Sequence, residues 1–469
     1  MNDISNLVSE LRARLGAEGV LTGAELSART TGIWRSDTIV AQALFRPANT
    51  TELAAVLKAC NAVGQTVVTH GGLTGLAEGA IATDRDVVLS TERLDRIERI
   101  DPINRILVAE SGVRLQAAQA AAAEHGLMLA LDLGARGSCT LGGNAATNAG
   151  GNNVIRYGMA REQLLGLEAV LADGTVVSSL NTMLKNNSGY DLKHLFIGSE
   201  GTLGVITRLV FRLQPAWRTQ ETALIGVQSF GQLCELFGQL DETLGGTLTS
   251  FEVMWKNFYS LSCGDAPPLP PDFPFYVIVE ALGSDPENDA ERFLKVISQA
   301  NEQGLLADVI VCKSGRERDA VWAIREGVEK TLEGGPAVIF DVSLPLSSME
   351  GYVEDVFARL DADWADAYQT VVFGHAGDGN LHLVVAAGDG SEGDRRRIES
   401  SVYEPLIRVG GSVSAEHGIG LEKKSWLKLC RDPAEITLMR TLKMALDPQG
   451  ILNPGRIFDL PGADQDRQQ

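Results

Sequence analysis

In the first half of the chain, short apolar runs alternate with stretches in which hydrophobic positions recur with the period of a helix. Residues 38–47, TIVAQALFRP, predict a strand, and the NTTELAAVLKACNAVG that follows predicts a helix. Asn49 and Thr50 are residue types that cap helix N-termini, which supports this boundary. Asp173-Gly174 joins the two apolar runs of LEAVLADGTVV and predicts a hairpin. Further elements are predicted as strands at 65–70, 86–90, 105–112 and 202–213 and a helix at 113–125.

The pattern changes after about Pro215, where longer strands and helices alternate from residue 220 to about residue 425. Residues 426–447 then show a helical pattern. The prediction is an α+β protein of four segments: an N-terminal helical segment at 1–37, a first domain at 38–217, an inserted α+β domain at 218–425 and a C-terminal helical segment at 426–469.

Composition and charge narrow the function classes. The 469 residues are 44% hydrophobic and carry a formal net charge of -20, so a large core is available and nucleic acid is not an expected partner. The N-terminus predicts an amphipathic helix without the apolar core of a signal peptide, and no apolar run is long enough to predict a membrane span. The six cysteines are scattered without a CxxC pair, which favours reduced thiols in a cytoplasmic protein.

Three glycine-rich stretches in the first domain predict a site for a phosphate-bearing cofactor. They are HGGLTG at 70–75, GARGSCTLGGNAATNAGG at 134–151 and IGSEGTLGVI at 197–206. Glycine allows close approach of a ligand to bare backbone N–H groups, which suit phosphate oxygens. Each loop alone could be a simple turn, but GGNAATNAGG is too long for a hairpin. A G-x-G-x-x-G match at 388–393 contains Asp389 and Glu392, and these carboxylates disfavour a dinucleotide pyrophosphate there.

Two of the six histidines, His375 and His382, lie on either side of the turn in GHAGDGNLH. Apolar VVF and LHLVV flank this turn and predict strand, turn and strand, which can bring both imidazoles together. With a carboxylate such as Glu416 they could hold a divalent metal. The alternative is that His375 caps the turn and His382 is a buried strand residue, and spacing alone favours this alternative.

Six long motifs resemble the FAD-linked oxidases of the vanillyl-alcohol-oxidase type, in their D-2-hydroxyglutarate and D-lactate dehydrogenase branch. The resemblance covers nearly the whole chain in the right order. The motifs are LDLGARGSCTLGGNAATNAGG at 131–151, RYGMAREQLLGLEAVLADGTVV at 156–177, NNSGYDLKHLFIGSEGTLGVIT at 186–207, GHAGDGNLH at 374–382, SAEHGIG at 414–420 and LDPQGILNPGRIF at 446–458.

This resemblance implies an FAD-binding domain of two subdomains, an inserted substrate domain with an antiparallel sheet flanked by helices, and a C-terminal segment that returns to the FAD domain. Members that tether FAD covalently have a histidine where this chain has Leu73, so the FAD is expected to be non-covalent. The implied cofactor-binding residues are His70, Gly71, Gly72, Leu73, Thr74, Gly75, Leu76, Gly134, Ser138, Thr140, Gly143, Asn144, Thr147, Asn148, Gly150, Gly201, Val205, Ile206 and Asn453.

The resemblance also implies a catalytic centre for oxidation of a 2-hydroxy acid. Its metal ligands would be His375, His382 and Glu416, with zinc the expected ion. His417 would bind substrate and act as the catalytic base, although a surface loop histidine is the alternative. Arg325 would bind the substrate carboxylate, although its residue type and spacing alone favour a helix-surface ion pair with Glu329.

Three positions depart from the hydroxyglutarate-type pattern: Glu329, Ile339 and Val384 stand where relatives tend to have a small hydroxyl residue, Lys and Asn. The hypothesis is a substrate less anionic or more apolar than 2-hydroxyglutarate. No second redox centre is indicated, so an external acceptor is expected: electron-transfer flavoprotein, a quinone or a cytochrome. A homodimer is left open. A metal-free flavin oxidase of an alcohol or sugar and a catalytically inactive flavin-binding module are the alternative functions.

Overall fold

A computed structural model describes residues 4–33, 35–332, 335–365 and 367–460, so the ends of the predicted terminal segments, at 1–3 and 461–469, lie outside the described residues. The chain forms two compact units. The first unit comprises residues 1–151, 158–216 and 416–469, and the second unit comprises residues 152–157 and 217–415. The sequence analysis places the end of the inserted domain at 425, and the compact second unit ends at Ala415.

The first unit contains a four-stranded sheet in the order Val20–Leu21, Leu44–Phe45, Val87–Ser90 and Val67–His70. Helix Thr50–Val63 forms where the sequence predicts it, and the Asn49 side chain accepts a hydrogen bond from the Glu52 N–H at 2.9 Å. This capping satisfies a helix N–H that has no partner in the first turn. Helix Ile4–Leu15 buries Leu7, Leu11 and Leu15, one apolar stripe of its surface.

A second sheet of the first unit is antiparallel, in the order Ile97–Asp101, Ile106–Glu110, Val205–Arg212, Leu164–Val170 and Val176–Ser179. The predicted hairpin joins the last two strands, with Gly174 at a φ of 86° that only glycine adopts easily. Leu127–Met128 pairs with Gln214–Pro215. The other helices of this unit are Ala24–Ser27, Leu115–Ala123, Leu141–Ala146, Ala160–Gln163, Lys193–Phe196, Leu427–Cys430 and Pro433–Leu446, with 3-10 turns at Ala17–Gly19 and Lys424–Trp426.

The second unit is a seven-stranded antiparallel sheet with helices, as the sequence predicts. The strand order is Asp308–Val311, Thr219–Val227, Phe275–Gly283, Leu248–Trp255, Tyr368–His375, Asn380–Ala387 and Ala337–Ser343. The helices are Val154–Tyr157, Phe230–Thr243, Lys256–Ser262, Asp289–Glu302, Gly315–Glu326, Met349–Trp364, Glu392–Tyr403 and Leu406–Val409, with 3-10 turns at Val328–Leu332, Leu346–Ser348 and Ala376–Asp378.

The acidic glycine turn at 388–393 binds its own carboxylates. The Asp389 N–H donates to Asp394 Oδ2 at 3.0 Å, and the Ser391 side chain caps helix Glu392–Tyr403 by accepting from the Asp394 N–H at 3.3 Å. The turn therefore serves as a helix start.

Candidate functional site

A cleft lies in the first unit, and the glycine-rich loops form much of its lining. His417 lines the cleft, as do thirteen of the nineteen residues that the sequence assigns to cofactor binding. The thirteen are Gly71, Gly72, Leu73, Thr74, Gly75, Thr140, Gly143, Asn144, Thr147, Gly201, Val205, Ile206 and Asn453.

The loop after strand Val67–His70 offers a row of backbone donors to this cleft. Within the described part of the chain, the N–H groups of residues 71–75 donate to no protein acceptor. Leu73 has a φ of 59°, and such changes of hand turn successive N–H groups toward one concavity. Gly72 must be glycine, because a Cβ there would collide with the Ser138 carbonyl oxygen. This geometry fits the phosphates of a dinucleotide cofactor.

Two buried hydroxyl groups give a second, independent indication of a polar ligand. Thr69 Oγ1 and Ser111 Oγ both belong to residues that line the cleft, and neither finds a hydrogen-bond partner among the described residues. A buried polar atom without a partner is costly and marks a place where a bound group completes the bonding. These hydroxyls and the free N–H groups together fit FAD.

Six residues assigned to cofactor binding from the sequence do not line this cleft: His70, Leu76, Gly134, Ser138, Asn148 and Gly150. The side chain of His70 is buried at the end of its strand, and Nε2 is 2.8 Å from the Ala80 carbonyl oxygen. Asn148 Oδ1 instead accepts from the Arg161 N–H at 2.9 Å. In both residues a protein contact occupies the side chain, and the sequence gives no sign of which way these side chains turn.

His70 should make folding sensitive to acid. Burial lowers the pKa of His70 to about 4, whereas an unfolded histidine has a pKa near 6.5. Below about pH 6.5 the unfolded chain therefore binds the proton more readily, and stability is lost as the pH falls toward 4. Between about pH 7.5 and about pH 5, this residue should remove about 2 kcal/mol from the free energy of unfolding. Urea unfolding of the wild type and of His70→Gln at both pH values measures the difference.

The control for this experiment is His125→Gln, because His125 is exposed. Its pH dependence should match that of the wild type. An equal loss of stability in His70→Gln and wild type on acidification would contradict the assignment of His70 as a buried neutral residue.

The two histidines of GHAGDGNLH come together in the second unit. His375 ends strand Tyr368–His375, the 3-10 turn Ala376–Asp378 follows, and His382 lies near the start of strand Asn380–Ala387. The ring centroids of His375 and His382 are 5.5 Å apart at an interplanar angle of 79°. The local arrangement predicted from the sequence thus places two imidazoles side by side.

Arg325 is buried, not at the helix surface. Its Nε donates to Glu252 Oε2 at 3.0 Å, and Nη2 lies 3.4 Å from His375 Nε2. The guanidinium carbon is 4.7 Å from the centroid of the Phe373 ring. Glu329, the alternative partner from the sequence, is exposed on the 3-10 turn Val328–Leu332. Arg325 is therefore held beside His375, and its ion pair is with Glu252 and not with Glu329, the partner in the alternative interpretation.

Glu252 is a functional candidate that the sequence analysis missed. Its Oε1 is 2.7 Å from His375 Nδ1, so one carboxylate contacts both His375 and Arg325. Burial alone would raise the pKa of Glu252, but the charges and hydrogen bonds of His375 and Arg325 hold it below its ordinary value. A single acidic residue inside the otherwise uncharged, buried strand LTSFEVMW was the available signal.

The sequence analysis also missed Asp341, although it is the single acidic residue of the strand AVIFDVS. It is fully buried, accepts from Asn380 Nδ2 at 2.8 Å, and lies 3.9 Å from His382 Nδ1. Its Oδ2 also accepts from the Ala415 N–H at 3.1 Å. Ala415 is the residue before Glu416, so this bond fixes the chain where the SAEHGIG motif begins.

In the first unit, separate hydrogen bonds hold Glu416 and the loop that carries His417. Glu416 Oε1 accepts from the Gly151 N–H at 2.6 Å. Glu200, a further cleft residue that the sequence analysis missed, accepts from the N–H groups of Ile419 and Gly420 at 2.7 and 2.8 Å. Burial of its carboxylate raises the pKa of Glu200. These bonds fix the loop that carries His417 at the cleft.

Two family models match the chain. The model for FAD linked oxidases, C-terminal domain, matches residues 217–457, and a model for an FAD binding domain matches residues 41–179. Bovine mitochondrial D-2-hydroxyglutarate dehydrogenase is 40% identical over 88% of this chain and 76% of its own length. The Arabidopsis thaliana enzyme of that name is 36% identical over 88% and 74%, and a putative mitochondrial D-lactate dehydrogenase of Schizosaccharomyces pombe is 37% identical over 88% and 81%.

Solved structures of low identity share the fold. p-Cresol methylhydroxylase superposes with a TM-score of 0.76 at 16% identity, covering 97% of this chain and 96% of its own. The 4-ethylphenol oxidase of Gulosibacter chungangensis gives a TM-score of 0.74 at 17% identity, covering 98% of each chain. At this identity the likeness extends to the fold alone, and it confirms the architecture expected from the sequence.

Proposed function

The chain belongs to the FAD-linked oxidases, in the family of D-2-hydroxyglutarate and D-lactate dehydrogenases, and is an FAD-dependent oxidoreductase; from this premise we propose that it oxidises a D-2-hydroxy acid to the 2-oxo acid with the help of a divalent metal. The observation that carries the proposal is the cluster on one sheet face. Cross-strand pairing places Glu252 opposite His375 and Phe373 opposite His382, with Arg325 bound to the first pair.

His375, His382 and Glu416 would hold the metal, with zinc the expected ion. Two imidazoles and one carboxylate form a donor set that suits zinc. The adjacent rings of His375 and His382 support the choice, as does the bond from Ala415 to Asp341 just before Glu416. A bound divalent cation would lower the pKa of the substrate hydroxyl.

The proton and the hydride would leave the substrate separately. His417 would take the hydroxyl proton, since a neutral imidazole is a suitable base near pH 7. Bound FAD would accept the hydride from C2, so the substrate loses two electrons and two hydrogens. The place of His417 at the cleft and the two hydrogen bonds that Glu200 accepts from the Ile419 and Gly420 N–H groups support this role.

Arg325 would bind the substrate carboxylate. Glu252 occupies Nε, and the guanidinium lies over Phe373, which limits its freedom. A guanidinium held in one plane matches the two oxygens of a carboxylate. Arg325 would thereby orient the hydroxy acid without forming or breaking a covalent bond itself.

The next rung of the same sheet face supports a preference for a less anionic or more apolar substrate than 2-hydroxyglutarate. Val384 follows His382 by two residues and therefore points to the same face. Its cross-strand partners are Ile339 and Val371, so this rung is apolar throughout. At the positions where hydroxyglutarate-type relatives tend to have Lys and Asn, this rung has Ile339 and Val384, which offer neither a cationic nor an amide partner for a second carboxylate.

The electrons would pass to an external acceptor, for which we propose electron-transfer flavoprotein, a quinone or a cytochrome. None of the helices among the described residues is both long and apolar enough to cross a membrane. A cytoplasmic location and a homodimer remain predictions from the sequence.

Anaerobic reduction of the bound flavin tests the proposal. Purified holoenzyme would be mixed with the D and L forms of lactate, 2-hydroxyglutarate and larger alkyl or aryl hydroxy acids while the visible flavin bands are recorded. The D forms of the less anionic acids should bleach the flavin fastest. Chelation should slow this bleaching, and return of zinc should restore it, because the metal lowers the hydroxyl pKa.

Three outcomes would contradict parts of the proposal. Faster bleaching by D-2-hydroxyglutarate than by any less anionic acid would overturn the substrate preference. Bleaching that chelation does not change would favour a metal-free oxidase. A yellow protein that no hydroxy acid reduces would indicate an inactive flavin-binding module.

A further inference from the structure

The Glu252 carboxylate contacts both His375, a proposed metal ligand, and Arg325, the proposed substrate-binding residue. It is 1% exposed at the centre of strand Leu248–Trp255. One oxygen, Oε1, contacts His375 Nδ1 at 2.7 Å, and the other, Oε2, accepts from Arg325 Nε at 3.0 Å. A buried carboxylate with two charge-assisted hydrogen bonds has a defined orientation.

These contacts determine which nitrogen of His375 carries the proton. An ionised carboxylate only accepts hydrogen bonds, so Nδ1 must be the donor to Glu252. Arg325 Nη2 lies 3.4 Å from Nε2, and a guanidinium only donates. Both neighbours therefore require the proton on Nδ1 and a lone pair on Nε2, and a metal bound through Nε2 would take that lone pair in place of the Arg325 N–H.

We propose that Glu252 is the positioning residue of this centre: it fixes His375 in the tautomer that binds the metal through Nε2 and fixes Arg325 for the substrate carboxylate. This inference rests on the proposed metal-dependent function. A carboxylate behind a metal-bound histidine orients the ring and raises its basicity. Glu252 itself would touch neither metal nor substrate.

The Glu252→Gln variant disrupts both contacts while keeping the shape of the side chain. If the amide oxygen accepts from His375 Nδ1, the NH₂ group faces the Arg325 N–H and two donors meet. If the amide takes the opposite orientation, its NH₂ group donates to Nδ1 and the histidine proton moves to Nε2. The affinity for zinc should therefore fall by about 10–100-fold. The measurement is competition between the metal-free flavoprotein and a chromophoric chelator, which reports zinc binding without any turnover.

Glu280→Gln is the matched control. Glu280 lies on the neighbouring strand Phe275–Gly283, is also buried, and accepts from Thr222 Oγ1 at 2.9 Å and Trp322 Nε1 at 3.0 Å. Its zinc affinity should equal that of the wild type. If the wild type binds zinc and Glu252→Gln binds it equally well, the role of Glu252 is overturned. If the wild type binds no zinc, the metal-dependent function is overturned instead.

A measurement on the wild type covers the case in which Glu252→Gln does not fold. Isotope-labelled histidine gives one pair of ring nitrogen signals for each of the six histidines, and the His375→Gln variant identifies those of His375. In the metal-free protein, the proton should be on Nδ1 of His375. A proton on Nε2 would overturn the inference.

Discussion

Replacing His417 with Gln should slow reduction of the flavin by substrate about 10²–10⁴-fold while FAD remains bound. The amide cannot take up the hydroxyl proton, and the cleft keeps its row of free N–H groups at residues 71–75. Stopped-flow absorbance under anaerobic conditions gives the reduction rate constant, and the ratio of flavin to protein absorbance gives the FAD content. The loss should therefore appear in the rate and not in the cofactor content.

His125→Gln is the control, because His125 is an exposed histidine of the same unit. It should reduce at the wild-type rate. A rate for His417→Gln within about fivefold of the wild type would fall below the contribution of a general base and would place proton removal at another residue. Loss of FAD from His417→Gln would instead assign His417 to cofactor binding.

The parts of the structure that depend on near neighbours in sequence could be predicted. The hairpin at Asp173-Gly174, the cap at Asn49 and the strand–turn–strand of GHAGDGNLH each follow from a few adjacent residues. Turn geometry and capping are determined locally, so composition and spacing are enough to indicate them. The same holds for the loop at 71–75, because its glycines can be recognised in the sequence before the fold is known.

Contacts across long stretches of sequence could not be predicted. Glu252 and His375 are 123 positions apart, and they meet because strands Leu248–Trp255 and Tyr368–His375 are neighbours in the sheet. Strand order depends on tertiary packing that no local pattern encodes. A lone acid in an apolar strand could have marked Glu252 and Asp341 as unusual, but only the sheet order shows their partners.

Side-chain direction at the ends of strands is a second feature that could not be predicted from the sequence. His70 is the last residue of its strand, and its ring turns toward the Ala80 carbonyl group instead of the cleft. The residues on either side of it, Thr69 and Gly71, both line the cleft. Side chains at successive strand positions point to opposite faces, so the sequence of a loop does not show which of its side chains face the cleft.

Replacing Arg325 with Met should lower kcat/KM about 100-fold or more. Removal of one partner of a buried, hydrogen-bonded charge pair costs about 2–5 kcal/mol, and here the substrate carboxylate and Glu252 would both lose their cation. Unfolding by urea should also show a loss of about 3 kcal/mol, since the buried Glu252 carboxylate loses its cationic partner and keeps only its contact with His375. Arg325→Lys keeps the charge but not the planar fork, so its kcat/KM should lie between those of the wild type and Arg325→Met.

Arg318→Met provides the control on the same helix, Gly315–Glu326. Arg318 donates to Gln220 Oε1 at 2.8 Å and pairs with the exposed Asp319, so its removal should leave kcat/KM within about twofold of the wild type. Zinc affinity separates Arg325 from Glu252: Arg325→Met should keep it, because Glu252 still accepts from His375 Nδ1, whereas Glu252→Gln should lose it. If zinc affinity falls equally in Arg325→Met and Glu252→Gln, then Arg325 and Glu252 act on the metal together. Arg325 would then have no separate role in substrate binding.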